Sequence, residues 1–210
     1  MGIIVLEGGG PFVANDVLDS KVLGGIDGQI AVLPTAQAFE NPDGLIERAR
    51  AWASRLNLKI RVCGVYTRAD AREEHHADVI RAAKAVVLVG DSSIHLRSTL
   101  LNTPVWEAIE VQSETGVVIG VGNSASVLCD PMIDPRGGAF GLGLGLVKEF
   151  TALVEAERWP TEQMARTRQL ATCSLAVIPT GSAVVVENGK PTPVGEAILH
   201  LSDFENGSHV

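Results

Sequence analysis

Apolar and polar residues follow two different periods along this chain, and the two periods predict strands that alternate with helices. Uninterrupted apolar runs at residues 3–6, 30–33, 85–89 and 117–121 are typical of strands that are buried on both faces, and residues 58–65 alternate like a strand. Between Leu45 and Leu56 the apolar residues recur at helical spacing. Helices are also predicted near 93–101 and 103–113, where Pro104 suits a first helical turn.

This alternation predicts a mainly parallel sheet with helices on both sides. Beyond residue 170 the pattern changes to short strands at 175–178, 183–187 and 197–201, and Asn188-Gly189 is a strong hairpin signal. We therefore expect an α/β fold of three layers, with a mostly parallel sheet and an antiparallel C-terminal edge. Residues 1–201 are expected to form a single domain, and residues 202–210 a flexible tail.

Charge and composition exclude several classes of protein. The formal net charge of −8 leaves no basic surface for nucleic acid. Because no apolar run reaches 18 residues and no basic segment opens the chain, we expect neither a membrane span nor a signal peptide. The three cysteines are widely spaced, which indicates buried thiols in a reducing, cytoplasmic compartment. The glycine-rich segments match no nucleotide motif, so no cofactor is expected. His75-His76 beside Glu73 is read as a surface turn, so no metal ion is expected either.

The segment Gly122-Asn-Ser-Ala-Ser126 follows the buried strand at 117–121 and precedes an apolar stretch that is predicted to be helical. It fits the nucleophile-elbow pattern G-x-S-x-G, with Ser126 in place of the last glycine. In this interpretation Ser124 is the candidate nucleophile at the carboxyl edge of the sheet. The alternative is that Ser124 only caps the helix.

A second strand ends in Gly90-Asp91 at the same edge, where parallel sheets bind ligands. The N–H of Gly90 is a candidate donor to an oxyanion, and Asp91 is a candidate partner for a substrate amine. The alternative is that Asp91 or Ser92 caps the following helix.

Several motifs, in this order, resemble the cyanophycinase and dipeptidase E family of serine peptidases over residues 2 to about 201. They are Leu33-Pro-Thr-Ala, Val89-Gly-Asp, Leu100-Leu-Asn-Thr-Pro and Gly122-Asn-Ser-Ala-Ser. The resemblance implies a flavodoxin-like, class I glutamine amidotransferase-like fold. It also implies cleavage of a small peptide or isopeptide beside an acidic residue, and a homodimer. The nucleophile would be Ser124, with Gly90 and Ala125 as oxyanion donors and with Asp91 and Asn123 in the substrate site.

The chain departs from that family at the general base. The family has a histidine after its glycine-rich run, but no histidine lies between Cys129 and Leu199, where Glu155, Glu157 or Trp159 aligns instead. The replacement candidates are His95, Glu155 and Glu157. For His95 the alternative is helical packing, and for the two glutamates it is a solvated face.

Arg166 and Arg168 are candidates for binding an acidic substrate, or lie on an exposed helical face. Two hypotheses for the function follow from these observations. The first is a serine hydrolase that uses Ser124. The second is a catalytically degenerate relative that binds a small amide, a peptide or a protein partner.

Overall fold

The structure is a computed structural model that describes residues 2–202. In chain order its strands are β1 (Ile3–Glu7), β2 (Gln29–Leu33), β3 (Lys59–Val62), β4 (Ala85–Leu88), β5 (Val117–Val121), β6 (Cys129–Asp130), β7 (Met132–Ile133), β8 (Phe140–Gly141), β9 (Val147–Lys148), β10 (Phe150–Val154), β11 (Ser174–Ile178), β12 (Ala183–Glu187), β13 (Lys190–Val194) and β14 (Ile198–His200). The helices are α1 (Asp16–Leu23), α2 (Pro42–Arg55), α3 (Arg68–Ala71), α4 (Glu74–Ala82), α5 (Ser93–Leu100), α6 (Pro104–Thr115), α7 (Asn123–Leu128) and α8 (Thr161–Leu170). Two 3₁₀ turns lie at Thr35–Gln37 and Ala156–Arg158. Of the expected tail, residues 203–210 lie outside the described residues.

The largest sheet has seven strands in the order β13-β12-β1-β5-β4-β2-β3. The five strands from β1 to β3 in this order pair in parallel. On the other side of β1, the β12–β13 hairpin adds an antiparallel edge. The predicted α/β class, with helices on both sides of a mostly parallel sheet, is confirmed.

Alternate residues of the central strands face two separate hydrophobic cores. Val5, Val87 and Ile119 face α1 and α2, where Leu23 and Trp52 are fully or almost fully buried. The intervening residues of the same strands pack against α4, α5, α6 and α7. Both faces of the strands are therefore apolar, which is why these strands form uninterrupted hydrophobic runs in the sequence.

A second sheet of five strands has the order β14-β11-β10-β6-β9, and β7 pairs with β8. The predicted antiparallel C-terminal edge is therefore present, but it does not include all of the short strands predicted beyond residue 170. Only β12 joins the main sheet, where β13 completes the hairpin, whereas β11 and β14 belong to the second sheet. The physical reason is β10, which is buried along its whole length and offers β11 a parallel partner.

Among residues 2–202, no helix is both long enough and apolar enough to cross a membrane.

Candidate functional site

The candidate site lies where the parallel strands of the main sheet end. Strands β1, β2, β4 and β5 run in the same direction, so the segments that follow them meet at one edge. These segments include the glycines after β1, Gly90-Asp91 after β4, and the turn between β5 and α7. In open α/β sheets this edge is the usual place for a ligand.

The turn from β5 into α7 is a single residue, Gly122. Its backbone has φ 60° and ψ −132°, which L-residues rarely adopt. In a nucleophile elbow, the reactive residue occupies this strained position between strand and helix. The structure therefore places a glycine, which has no side chain, at the apex of the elbow.

The residues two positions before and after Gly122 also agree with Gly122 as the apex of the elbow. A Cβ at Gly120 would lie 2.7 Å from the Cα of Ala125, so α7 packs on β5 only because residue 120 is glycine. Ser124, two residues after the apex, is also small and fully buried. The small residues that an elbow needs are thus Gly120 and Ser124, rather than Gly122 and Ser126.

This geometry corrects the role predicted for Ser124. Its side chain is 0% exposed, and its Oγ donates a hydrogen bond to the Gly90 carbonyl oxygen over 3.1 Å. A nucleophile must reach the substrate, and the hydroxyl of Ser124 is instead packed between α7 and the end of β4. The serine joins two segments of the edge and is not presented at its surface.

The predicted oxyanion donor Ala125 is also corrected, because its N–H donates to the Gly122 carbonyl oxygen over 2.9 Å. Within residues 2–202, the N–H groups of Gly90 and Asn123 have no hydrogen-bond acceptor. Gly90 has φ 123°, and a Cβ there would lie 2.5 Å from the Gln37 nitrogen, so only glycine fits. Gly90 and Asn123 are therefore two of the backbone groups at this edge that can donate to a ligand.

Next to the elbow lies a cleft of about 190 Å³. Asn123 forms one wall, and its Nδ2 donates to the Asp91 carbonyl oxygen over 3.0 Å. Glu155 and Arg158 also line the cleft and form an ion pair of 2.9 Å. The remaining lining residues are Pro135, Val154, Trp159, Pro160 and Gln163.

Glu155 is the predicted base candidate that the structure brings closest to the elbow. Its backbone is left-handed, with φ 48°, and its N–H donates to the Gly8 carbonyl oxygen over 2.8 Å. Its side chain passes over Gly9, where a Cβ would lie 3.2 Å from Oε1. Burial raises the pKa of Glu155, the Arg158 guanidinium opposes this shift, and Asp91 and Glu157 add to it.

The Glu157 carboxylate binds Thr180 and not a group of the elbow. Its carboxylate accepts hydrogen bonds from the Thr180 Oγ1 over 2.6 Å and the Thr180 N–H over 3.1 Å. Partial burial raises the pKa of Glu157, but the hydrogen bonds from Thr180 and from backbone N–H groups, together with the Arg158 charge, make the net shift downward. A carboxylate held in this way is a weaker base than an ordinary glutamate.

His95 does not approach Ser124 as predicted. Its Nε2 lies 2.8 Å from the Tyr66 carbonyl oxygen, and its ring centre lies 4.5 Å from that of Phe39. Within residues 2–202, no hydrogen bond joins His95 to Ser124. His95 is therefore a packed helical histidine, which was the predicted alternative to a role as the general base.

The two predicted arginines also lie outside the cleft. Both are exposed on α8, and Arg168 lines a different depression with Cys173 and His200. The arginine that lines the cleft is Arg158, which was not among the residues predicted for the site. In the sequence, only its position next to the base candidates Glu155 and Glu157 points to the site.

The described residues also form larger depressions, two of which lie away from the elbow. A groove of about 750 Å³ runs between α1 and the β12–β13 hairpin, and a depression of about 370 Å³ lies at the amino ends of β1 and β5. In the part of the chain that the structure describes, no group of three or more His, Cys, Asp or Glu side chains is arranged to hold a metal ion. His75 instead pairs with Glu73 on the surface at 3.2 Å.

No protein-family model matches the chain, and no curated protein matches it. Among solved structures, it is similar to a peptidase from an acI-B1 Actinobacterium, with a TM-score of 0.80 and 22% identity over 96% of this chain and 90% of that one. It is also similar to a protein assigned to peptidase E from Listeria monocytogenes EGD-e, with a TM-score of 0.70 and 15% identity over 97% of this chain and 100% of that one. At these identities the likeness concerns the fold, and the chain has the fold of these peptidase structures.

Proposed function

We propose that this protein binds a small peptide or amide in the cleft beside the elbow and does not hydrolyse it through Ser124. The observation that carries the proposal is the glycine at the apex of the elbow. Covalent catalysis requires a nucleophile that contacts the substrate. Gly122 offers no such group, and the Ser124 hydroxyl is buried.

The charges of the cleft match a ligand that carries both signs. Arg158 is the cation, and its side chain is 71% exposed although it pairs with Glu155. Glu155 and the exposed Asp91 supply negative charge near the elbow. A short peptide could therefore place a carboxylate on Arg158 and its amino group against the two acidic side chains.

Backbone and amide groups add neutral recognition. The N–H groups of Gly90 and Asn123 can donate to a carbonyl or carboxylate oxygen, and the Gln163 side chain borders the same space. The volume of about 190 Å³ is below the roughly 300 Å³ of drug-sized sites, so a ligand of one or two residues fits best.

The second candidate function is hydrolysis of a small peptide or isopeptide with an acidic residue. The likeness to peptidase structures favours it. Hydrolysis through Ser124 would require α7 to move so that its Oγ leaves the Gly90 carbonyl oxygen. Glu155, with its raised pKa, would then be the base candidate.

A fluorophosphonate probe distinguishes these two functions. We expect wild-type protein and Ser124→Ala to give the same background labelling, because no activated serine is exposed. Intact mass spectrometry measures the adduct. Labelling of the wild type that is lost in Ser124→Ala would overturn the binding proposal in favour of the hydrolase.

Thermal-shift and calorimetric titration with a panel of dipeptides tests binding. We expect at least one acidic dipeptide to raise Tm, and Arg158→Ala to weaken its binding by about tenfold, which corresponds to about 1.4 kcal/mol. Arg168→Ala is the matched control, since it removes an exposed arginine outside the cleft. Equal loss of affinity in both variants, or no binding by any dipeptide, would contradict the proposed site.

A further inference from the structure

A buried pair of carboxyl groups lies beneath the elbow, on the face of the main sheet that α1 and α2 cover. Glu7, the last residue of β1, is 2% exposed, and Asp19 of α1 is 4% exposed. Neither group contacts the cleft, and neither has a part in the proposed binding. Acidic side chains are rarely this buried unless they are paired with a donor or a cation.

The two carboxyl groups have different partners. Glu7 Oε2 accepts a hydrogen bond from Asn15 Nδ2 over 3.0 Å, and Asp19 Oδ2 accepts one from Trp52 Nε1 over 2.9 Å. Within residues 2–202, the buried Glu7 Oε1 has no hydrogen-bond donor. A cavity of about 10 Å³ lies between Glu7, Asp19 and Trp52.

Within residues 2–202, no salt bridge reaches either carboxyl group of the pair. Arg55 of α2 pairs instead with Asp16 of α1 at 2.7 Å, and Lys21 of α1 is exposed. The loop before α1 and strands β4 and β5 contribute only apolar side chains to the cavity. These are Phe12, Val87, Ile119 and Val121. A bound metal ion would find too few oxygen ligands among these residues.

A shared proton explains this arrangement. Burial and the neighbouring Asp19 raise the pKa of Glu7 well above its ordinary value, and burial also raises the pKa of Asp19. Two carboxylates in contact cannot both ionise easily in an apolar site. With its proton retained, Glu7 becomes a donor to Asp19, and its unpartnered oxygen gains a partner.

The pair is joined to the elbow through short contacts. The Glu7 carbonyl oxygen accepts a hydrogen bond from the N–H of Gly122 over 2.9 Å. Asn15 Nδ2, which holds the Glu7 carboxyl, also lies 3.5 Å from the Gly9 carbonyl oxygen. Gly9 lies directly beneath the Glu155 side chain.

We propose that Glu7 and Asp19 share one proton and form a pH-sensitive latch that holds the Gly8–Gly10 segment and the elbow in place. When the proton is lost, a second negative charge appears in the apolar core. The two carboxylates then repel each other, although the hydrogen bonds from Asn15 and Trp52 favour the ionised form. Their separation displaces Glu7, and with it the elbow and the Gly8–Gly10 segment beside the cleft. The latch does not depend on which ligand the cleft binds.

Nuclear magnetic resonance of ¹⁵N-labelled protein tests the latch directly. We expect the Trp52 indole N–H peak, assigned with Trp52→Phe, to shift with a pH midpoint far above the ordinary carboxyl pKa of about 4.3. The indole of Trp106, which lies on α6 and outside the cleft, serves as an internal reference. Hydrogen exchange at Gly8 and Gly122, whose N–H groups donate to the Ser182 and Glu7 carbonyl oxygens, should accelerate across the same midpoint, relative to Glu7→Gln at each pH.

Glu7→Gln keeps a donor for Asp19 but cannot ionise, so its Trp52 peak should not titrate in this range. Glu110→Gln, an exposed substitution on α6, should behave like the wild type. The latch is refuted if the Trp52 peak is flat from pH 4 to 10, titrates near pH 4, or titrates equally in Glu7→Gln. A shift of the Trp52 peak on adding Na⁺, Mg²⁺ or Ca²⁺ at constant pH would show a cation site instead of a shared proton. Hydrogen exchange at Gly122 that does not change across the pH midpoint of the Trp52 peak would refute the link between the pair and the elbow.

Discussion

The reactivity of each of the three cysteine thiols depends on how deeply that thiol is buried. Cys63 is 1% exposed, lies 3.6 Å from His76 Nδ1, and has its pKa raised by burial to about 11. Cys129 is fully buried, and burial raises its pKa as well. Only Cys173 is partly exposed. A thiol that is both protonated and covered is a poor nucleophile.

We therefore expect iodoacetamide at pH 8 to modify the native protein at one position, Cys173. Intact mass spectrometry and peptide mapping measure the number and place of the adducts. In denaturant all three thiols should react, and Cys173→Ser should leave the native protein unmodified. Fast modification of Cys63 in the folded state would contradict the packing described for it.

The residue types around the elbow explain why the sequence located the elbow but not the residue at its apex. Residues 120, 122, 124 and 126 are all glycine or serine, so the spacing of small residues fits an apex at Gly122 as well as at Ser124. Serine chemistry favoured the second choice. The backbone dihedrals and the burial of Ser124 decide for the first, and these depend on where β5 ends and on how α7 packs on it.

At the scale of elements, one hydroxyl joins the end of α5 to the start of α6. Thr103 is 1% exposed, its Oγ1 accepts a hydrogen bond from the Trp106 N–H over 3.3 Å, and the same hydroxyl donates to the Leu100 carbonyl oxygen over 2.6 Å. The cap thus satisfies one free group on each helix.

Thr103→Ala should lower the free energy of unfolding by about 1–2 kcal/mol, because it leaves both groups without this partner. Thr103→Ser keeps the hydroxyl and should recover most of the loss. Urea denaturation followed by circular dichroism measures both variants. Equal stability of the alanine and serine variants would show that the cap contributes nothing.

Most strands of the main sheet were predictable because their apolar runs are long enough to show a period. Strand β13 was not predicted, because the segment Lys190-Pro-Thr-Pro-Val194 contains no apolar run. Strands β5 and β12 begin and end where the apolar runs predicted. The second sheet and the β7–β8 pair were not predictable, because β6, β7, β8 and β9 have two residues each, too few to establish an alternation. Strand β11 was found, but its partner β10 was not, so the sequence could not assign it to a sheet.

At the scale of the whole molecule, the buried acid pair should make stability depend on pH. The unfolded chain releases the Glu7 proton near its ordinary pKa, whereas the folded chain keeps it to a higher pH. Between these values the unfolded state binds fewer protons. The free energy of unfolding therefore falls as pH rises, by up to about 1.4 kcal/mol per pH unit for one proton.

Urea denaturation at pH 5, 6, 7 and 8 measures this slope, and Glu7→Gln provides the comparison. We expect the variant to gain stability relative to the wild type as pH rises. The lowered pKa of His76, caused first by burial, acts in the opposite direction and is the same in both proteins, so it cancels in the difference. A difference that stays constant across this range would mean that Glu7 ionises normally.

The two edge strands of the main sheet determine whether copies of this protein can associate by strand pairing at high concentration. Strand β13 carries Pro191 and Pro193, which lack the N–H that a further strand would need. At the far side, β3 exposes Lys59 and Arg61, whose like charges oppose pairing with a second copy. Both borders are thus closed to β-addition, and the protein should resist fibril growth and aggregation through its sheet.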